Sequence, residues 1–224
     1  MSEMFYKLLA DNTLLTGIWE TVYMTLLSTF ISYIIGLPLG IILCITDKNG
    51  ICPKPVVNKV LGVTVNIFRS MPFIILMIAV LPVAKIIVGT TMGNSAMIVT
   101  LVIAAAPYIA RMVESSVKEV NAGVIEAAQA MGTSSFQIIC KVLIPEAKPS
   151  LIIGAVISTV TILGYSAMAG TIGGGGLGQI AITYGYQRFN DDIIWVCVLL
   201  TIIVVQIIQE LGMLIVRKTD KRIG

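Results

Sequence analysis

One polar stretch, EAAQAMGTSSFQIICKVLIPEAKPS (Glu126–Ser150), interrupts a chain that is otherwise strongly apolar. The helix-forming residues that open it are followed by Gly132, a residue type that commonly ends a helix. Ser134 and Gln137 have the spacing of a capping box, which predicts that a second helix starts there. Pro145 is expected to end this second helix or to kink it into the next apolar segment. The stretch therefore predicts a helical hairpin joined to a membrane span.

The composition is that of a membrane protein. Of 224 residues, 57% are hydrophobic and 12% are charged, and the mean hydropathy is +0.96. Soluble domains carry about twice this charged fraction. The chain has no histidine, which excludes histidine bases, Ser-His or Cys-His nucleophile pairs and histidine-ligated metals. The four cysteines show no metal-ligand spacing. We therefore expect no catalytic residue, no metal, no cofactor and no nucleic-acid partner.

Five apolar segments are long enough to cross a bilayer, since about 20 helical residues span its hydrocarbon core. They cover about 18–45, 70–89, 95–113, 151–170 and 193–216. The second is preceded by Asn66 and Arg69. We expect an interfacial helix up to Phe68 and then a span that starts at Ser70–Pro72, with Ser70 as its N-cap; a single tilted helix with Arg69 just below the surface is the alternative. The predicted fold is an all-α, polytopic membrane protein with five spans.

The positive charges predict the orientation. Among the 15 Lys and Arg residues, with Arg69 set aside, eleven lie in the loops of one side and three on the other. Because Lys and Arg are enriched in cytoplasmic loops, the N-terminal tail 1–16 and the segment 170–190 are predicted to be outside. The loop 119–148 and the tail 217–224 are predicted to be cytoplasmic.

The hairpin resembles the EAA motif of ABC importer permeases. The residues that match its spacing are Glu126, Ala127, Ala128, Gly132, Val142, Ile144 and Pro145. In that family this loop is a coupling helix that docks in a cleft of a separate ATPase subunit, so the resemblance implies a coupling role for Glu126, Ala127, Ala128, Gly132 and Pro145. The sequence has no G-x-x-x-x-G-K-[ST] motif, which fits an ATPase on another polypeptide. From the residues alone, a hairpin that only lies on the membrane fits equally well.

Four further segments resemble the methionine-uptake permeases, and the likeness covers nearly the whole chain. They are Asn66–Leu76, Ala106–Glu114, Gly164–Met168 and Gly175–Ile180. The resemblance implies a bacterial plasma-membrane complex of two permease copies, two ABC ATPase subunits and an extracytoplasmic substrate-binding lipoprotein. It also implies that Met168 closes an apolar gate in the translocation pathway, with Tyr165 and Ser166 nearby. Another small amino acid or a methionine derivative is the alternative substrate.

The glycine run at the end of the fourth span also fits G-x-G-x-x-G. Its members are Gly173, Gly174, Gly175, Gly176 and Gly178. A dinucleotide site needs this motif in a βαβ unit, so we expect instead a bend or a close approach of backbones. Without the resemblance, Met168 is expected to pack within its own subunit. Glu210 in the fifth span is expected to face protein or a cavity and to pair with Arg69 or Arg217.

A self-sufficient secondary carrier is the alternative from another functional class. Such carriers are often built from inverted repeats and carry ionisable groups at mid-membrane depth. No inverted repeat is visible, and the first four predicted spans have no clear mid-membrane ionisable residue. The sequence therefore favours the permease over the carrier.

Overall fold

The fold is helical throughout the part of the chain, residues 3–219, that the computed structural model describes; side chains are described from Tyr6 onward. Its α-helices are α1 (Glu3–Ala10), α2 (Thr13–Ile45), α3 (Pro55–Ser70), α4 (Phe73–Val88), α5 (Asn94–Lys118), α6 (Ala122–Ala130), α7 (Ser135–Ile138), α8 (Ile144–Ala169), α9 (Gly176–Ile180) and α10 (Asp191–Thr219). The end of the predicted tail 217–224, with Lys221 and Arg222 of the charge count, lies outside the described residues.

Four of the five predicted spans are present as continuous helical segments, and the second is broken. Four helical segments, α2, α5, α10 and the continuous run Ser135–Ile172, are long and apolar enough to cross a membrane. The second predicted span corresponds to the pair α3 and α4, which are long and apolar enough only when taken together and which bend by 112° at a short break. The helices extend past the predicted limits, since α2 starts at Thr13 and α5 continues to Lys118. The all-α prediction with up to five spans is confirmed for the described residues.

The break in the second span confirms a separate helix before it and excludes the single tilted helix. The predicted N-cap is wrong: Ser70 is the last residue of α3, where its hydroxyl donates to the Asn66 carbonyl at 2.8 Å. Pro72 occupies the N-cap position of α4 instead. A proline disfavours helical backbone in the residue before it, and Met71 is extended accordingly (φ −80°, ψ 135°). The proline therefore fixes the break two residues after the serine.

The central helix is α5, the most buried of the long helices. Gly36 and Gly40 of α2 lie directly against it: a Cβ on Gly36 would collide with Ile109, and a Cβ on Gly40 would collide with Val113. Small residues four positions apart allow this close helix contact in membranes. The glycine pair therefore joins helices of the same subunit.

The hairpin after α5 has the predicted turn and cap. Gly132 follows α6 with φ +76°, and Ser134 and Gln137 form both hydrogen bonds of the capping box. The first expectation for Pro145, that it ends the second helix, is wrong, and the alternative, a kink into the next apolar segment, stays a prediction. The chain continues through a π-helical turn, Ile139–Leu143, into α8. In this wider turn Ile144 donates its N–H to the Ile139 carbonyl, and Pro145 falls in the first turn of α8, where a missing N–H costs little.

The C-terminal end of α8 passes into irregular backbone. A 3₁₀ turn, Gly170–Ile172, is followed by Gly173 with φ +99° and Gly176 with φ +89°. The short helix α9 and a π-helical segment, Ala181–Tyr186, then lead to α10. The predicted bend at the glycine run is confirmed, although much of the segment after it is helical.

Candidate functional site

The hairpin presents most of its EAA residues to solvent. Glu126, Ala127, Gly132 and Pro145 are exposed. Ala128 is buried and packs in the core with Ile138 and Leu143, so this alanine holds the hairpin on the membrane domain rather than presenting a surface to a partner. This division follows from the helix period, because neighbouring positions point in different directions.

Two large apolar side chains also lie exposed on the hairpin. Met131 at the end of α6 is 78% exposed, and Phe136 at the start of α7 is 75% exposed. They flank the turn at Gly132. Both side chains are therefore available for contact with another surface.

The hairpin borders a cavity of about 520 Å³ on the membrane domain. Glu126 and Gln129 of α6 line one side, and the loop after α2, with Asp47, and Lys118 of α5 line the other. The same loop contacts the second helix, where the Cys52 thiol donates to the Ser135 hydroxyl at 3.2 Å. The hairpin is therefore held by the core beneath it and by this loop beside it.

A charged network at this end of α5 was not predicted from the sequence. Glu114 is only 7% exposed and pairs with Arg111 at 2.5 Å and with Lys118 at 2.9 Å. Lys118 also reaches Asp47 at 2.8 Å, and Arg111 donates to Asn66 Oδ1 at 2.9 Å. The network joins α5 to α3 and to the loop after α2. The sequence did carry a signal for it, because Arg111 and Glu114 are three positions apart and Glu114 and Lys118 four, which are the spacings of ion pairs on one helix.

The Asp47 carboxylate is the outermost group of this network. The hydrogen bond from Lys118 is the main cause that lowers its pKa below the ordinary 3.8, and the hydrogen bond from the Lys48 backbone adds to it. Asp47 is therefore ionised at neutral pH, and its charge is paired with that of Lys118.

The three predicted pathway residues point in different directions. Met168 is 47% exposed. The alternative expectation, that it packs in the core of its own subunit, is therefore wrong. Tyr165 is half-buried, and its ring stacks on Phe73 with centroids 4.0 Å apart. Ser166 is buried against α2; its hydroxyl donates to the Leu163 carbonyl at 2.8 Å and lies 3.5 Å from the Thr25 hydroxyl. The structure brings Tyr165 next to α4 and leaves Met168 on an open face.

The open face of α8 consists of small or apolar residues. Ile153, Ile157, Gly164 and Met168 are exposed, and a Cβ on Gly164 would meet nothing within 4 Å. Their spacing places them on one side of the helix. A second protein surface can approach closely at Gly164, beside the exposed methionine.

The glycine run is held by side chains of other helices. Gly175 donates its N–H to Asn94 Oδ1 at 2.9 Å, and Gly176 donates to Glu20 Oε2 at 2.8 Å. The close approach is confirmed, because a Cβ on Gly175 would collide with the Glu20 carboxylate. The side-chain oxygens of Asn94 and Glu20 therefore already occupy backbone donors that a dinucleotide phosphate would need. Glu20 and Asn94 were missed because their partners lie far away in sequence.

The expected partners of Glu210 are wrong for the single subunit. Its side chain is exposed on α10, and it forms no ion pair with Arg69, Arg217 or any other residue of the described 6–219. Arg217 is seven positions further along the helix, about 10 Å away by the helical rise. The expectation that Glu210 faces protein or a cavity is likewise not met within one chain.

Comparisons with known proteins agree with this architecture. The family described as binding-protein-dependent transport system inner membrane component matches residues 36–224. The probable D-methionine transport system permease protein MetI of Vibrio cholerae is 48% identical, over 96% of this chain and 95% of its own length. The methionine import system permease protein MetP of Bacillus subtilis is 46% identical, over 94% and 97%.

A solved structure has the same fold. It is an inward-facing conformation of the MetNI methionine ABC transporter, with a TM-score of 0.93, 44% identity, and coverage of 99% of this chain and 100% of that one. Both the sequence match and the fold extend over nearly the whole chain. The chain belongs to the family of inner-membrane components of binding-protein-dependent transport systems.

Proposed function

We propose that this chain is the permease subunit of an ATP-driven methionine importer and that it works as a pair of copies with separate ABC ATPase subunits. The observation that carries the proposal is the hairpin: a capped helical turn with exposed EAA residues, anchored on the end of α5. The names of the relatives, with 46% and 48% identity over most of their length, support methionine as the substrate.

The hairpin is proposed as the docking element for an ATPase subunit. The exposed Met131 and Phe136 supply apolar contact area, and exposed Glu126 supplies a carboxylate that a basic group of the partner can pair with. The chain itself has no P-loop motif, so the phosphate-bond energy enters through this contact. The Glu114 network and the Ala128 contact then connect any movement of the hairpin to α5.

The pathway is proposed to run between two copies along the open face of α8. Homo-oligomers of membrane proteins are usually symmetric, and a two-fold axis beside Gly164 would bring one Met168 from each copy to the centre. Two flexible thioethers can seal an apolar constriction and still move aside for an apolar side chain. Tyr165 borders this face from the α4 side, and Ser166 supports the helix from within.

The orientation proposed here is N-terminus outside and C-terminus cytoplasmic in the bacterial plasma membrane, with a substrate-binding lipoprotein on the outer side. The Lys and Arg asymmetry supports it. Single cysteines at exposed Met131 and Gln187, in a cysteine-free background, test it with an impermeant maleimide on intact cells. We expect labelling of Gln187→Cys alone; labelling of Met131→Cys would reverse the orientation. Ser134, also exposed near the turn, is less suitable for a cysteine because its side chain caps α7.

Co-purification tests the assembly. The chain is expressed with an ABC ATPase and a substrate-binding protein of its own organism, and the complex is isolated from membranes through a tag on the permease. We expect a complex of two permeases and two ATPases, and Phe136→Asp should release the ATPase while leaving the permease in the membrane. A permease that never retains an ATPase would contradict the proposed function.

A further inference from the structure

We propose that a cleft at the break of the second span is a transient binding site for the transported amino acid, with Arg69 as the group that holds its carboxylate. The inference rests on the proposed function and adds a recognition step inside the permease itself. The cleft has a volume of about 170 Å³. This is below the roughly 300 Å³ at which drug-sized ligand pockets begin, so it suits a group the size of a single small amino acid.

The cleft is formed where three spans meet. The break between α3 and α4 contributes Arg69, Met71 and Phe73, α5 contributes Tyr108, and α8 contributes Tyr165. The stacked rings of Phe73 and Tyr165, tilted by only 8° to each other, form one wall. No Asp or Glu is among the residues that line this cleft. Among the described residues, the charge in the lining is therefore positive and comes from Arg69.

Arg69 is available to a ligand. Within the described residues, its guanidinium has no hydrogen bond and no ion pair. Arg111 on α5 shows the contrast, because its guanidinium is engaged by Glu114, Asn66 and the Gly62 carbonyl. A guanidinium presents parallel N–H donors that match a carboxylate in bidentate geometry. An arginine left free beside a small cleft therefore fits the α-carboxylate of an amino acid.

The remainder of the cleft suits an apolar side chain. Met71 and the aromatic rings of Phe73 and Tyr165 offer polarisable apolar surface, and a thioether makes favourable contacts with ring edges and faces. The Tyr108 ring, also in the lining, can receive the ligand's ammonium group by a cation–π contact. The cleft thus offers a complementary group for each part of a zwitterionic amino acid with an apolar side chain.

The location next to the proposed gate gives the site its role. Tyr165 precedes Met168 by three positions, which is nearly one turn of α8. An amino acid bound against Tyr165 lies directly beside the methionine that is proposed to close the pathway. The site would hold the substrate between release from the binding protein and passage to the cytoplasm, and it would favour substrates that carry a free carboxylate.

Contact with a lipid phosphate is the competing use of an exposed arginine at a membrane surface. The amino-acid proposal is favoured because Arg69 lines a concave cleft with aromatic walls, whereas Lys59 on the same helix is exposed and does not line it. Lys59 therefore supplies a matched control, since its neutralisation removes a positive charge from α3 without altering the cleft.

Photolabelling tests the site in the assembled transporter. The permease–ATPase complex, without the binding protein, is placed in nanodiscs and illuminated with a methionine analogue that carries a diazirine in its side chain. Labelled permease peptides are then mapped by mass spectrometry. We expect label near Phe73, Tyr108 or Tyr165, reduced about tenfold by Arg69→Gln, as expected for loss of a charge-assisted contact, and unchanged by Lys59→Gln. Methionine should compete, and methioninol, which lacks the carboxylate, should not.

Several results would overturn the site. They are equal labelling of wild type and Arg69→Gln, equal competition by methioninol, or an Arg69→Gln effect seen only in nanodiscs that contain anionic lipid. If Arg69→Gln does not assemble, the methioninol competition on wild type decides. ATP-driven methionine uptake by the wild-type complex with its binding protein is measured in parallel. No uptake would contradict the proposed function, whereas uptake without label in the cleft would contradict this inference alone.

Discussion

Phe73 and Tyr165 stack ring on ring, with centroids 4.0 Å apart and planes tilted by 8°. The contact joins the first residue of α4, just after the break in the second span, to α8 one turn before Met168. Two structural discontinuities of the chain are thereby linked through one pair of side chains: the break at Pro72 and the end of α8.

The stack should be measurable as a coupling energy. Aromatic pairs contribute about 0.5–1.5 kcal/mol beyond their buried area. We expect Phe73→Leu and Tyr165→Leu to be non-additive by about this amount in a double-mutant cycle, read from the thermal unfolding of the detergent-solubilised complex. The pair Phe30→Leu and Tyr165→Leu, in which Phe30 is 64% exposed, is the control and should be additive. Additivity at Phe73 and Tyr165 would mean that the stack contributes nothing.

The turn at Gly132 depends on backbone conformation rather than on space. A Cβ at this position would meet nothing within 4 Å, but its φ is +76°, and the left-handed conformation costs an L-residue roughly 1–2 kcal/mol. We expect Gly132→Val to release the ATPase or uncouple ATP hydrolysis from transport, while Gly132→Asn, a residue that tolerates this conformation, retains most of the activity. Co-purification and uptake are the measurements. Equal behaviour of the two variants would contradict the role of this turn.

Met168 and Met24 should respond in opposite ways to truncation. Met24 is fully buried, so Met24→Ala is expected to cost about 2–5 kcal/mol of stability and to leave the resting complex sealed. Met168 is 47% exposed, so Met168→Ala should cost little stability and open a leak between the two copies. Efflux of preloaded methionine from vesicles without ATP measures the leak. A Met168→Ala complex that stays sealed and transports methionine as wild type does would contradict the proposed role of Met168 as a gate.

The loop after α2 should loosen in acid. Because Lys118 lowers the pKa of Asp47 below 3.8, the Asp47–Lys118 contact stabilises the loop fully above that value and is lost as the pH falls through the lowered pKa. The pair is partly exposed, so we expect less than about 1 kcal/mol. The protection of residues 47–54 from hydrogen exchange, relative to the intrinsic exchange rate at each pH, should be lower at pH 3 than at pH 5 in wild type and not in Asp47→Asn. An identical loss of protection in Asp47→Asn would assign the effect to another group.

Local chemistry was sufficient to predict the hairpin. The positive φ at Gly132 and the capping box of Ser134 and Gln137 depend on residues within one turn of each other. Pro145 was misjudged because a π-helical turn, which has no sequence signature of its own, accommodates the proline. Ser70 was misjudged because Pro72 restrains Met71 more strongly than a serine attracts a helix start.

The site was only partly predictable because a helix rotates by about 100° per residue. Ser166 and Met168, two positions apart, therefore lie on nearly opposite sides of α8, and only Met168 can lie on its open face. The network around Glu114 includes Asp47 and Asn66 from other helices and loops. Such contacts between distant segments follow from packing, which the spacing along one helix does not reveal. The cleft at Arg69 was missed for the same reason.

Uptake by reconstituted vesicles tests the central claim most directly. The permease is reconstituted with its ATPase, and radiolabelled methionine is offered from the side that carries the binding protein. We predict accumulation that requires ATP, the ATPase and the binding protein together, and that is lost when Phe136→Asp removes the docking contact. Methionine uptake by the permease alone, driven by an ion gradient and unaffected by ATP, would show a secondary carrier and contradict the proposed function.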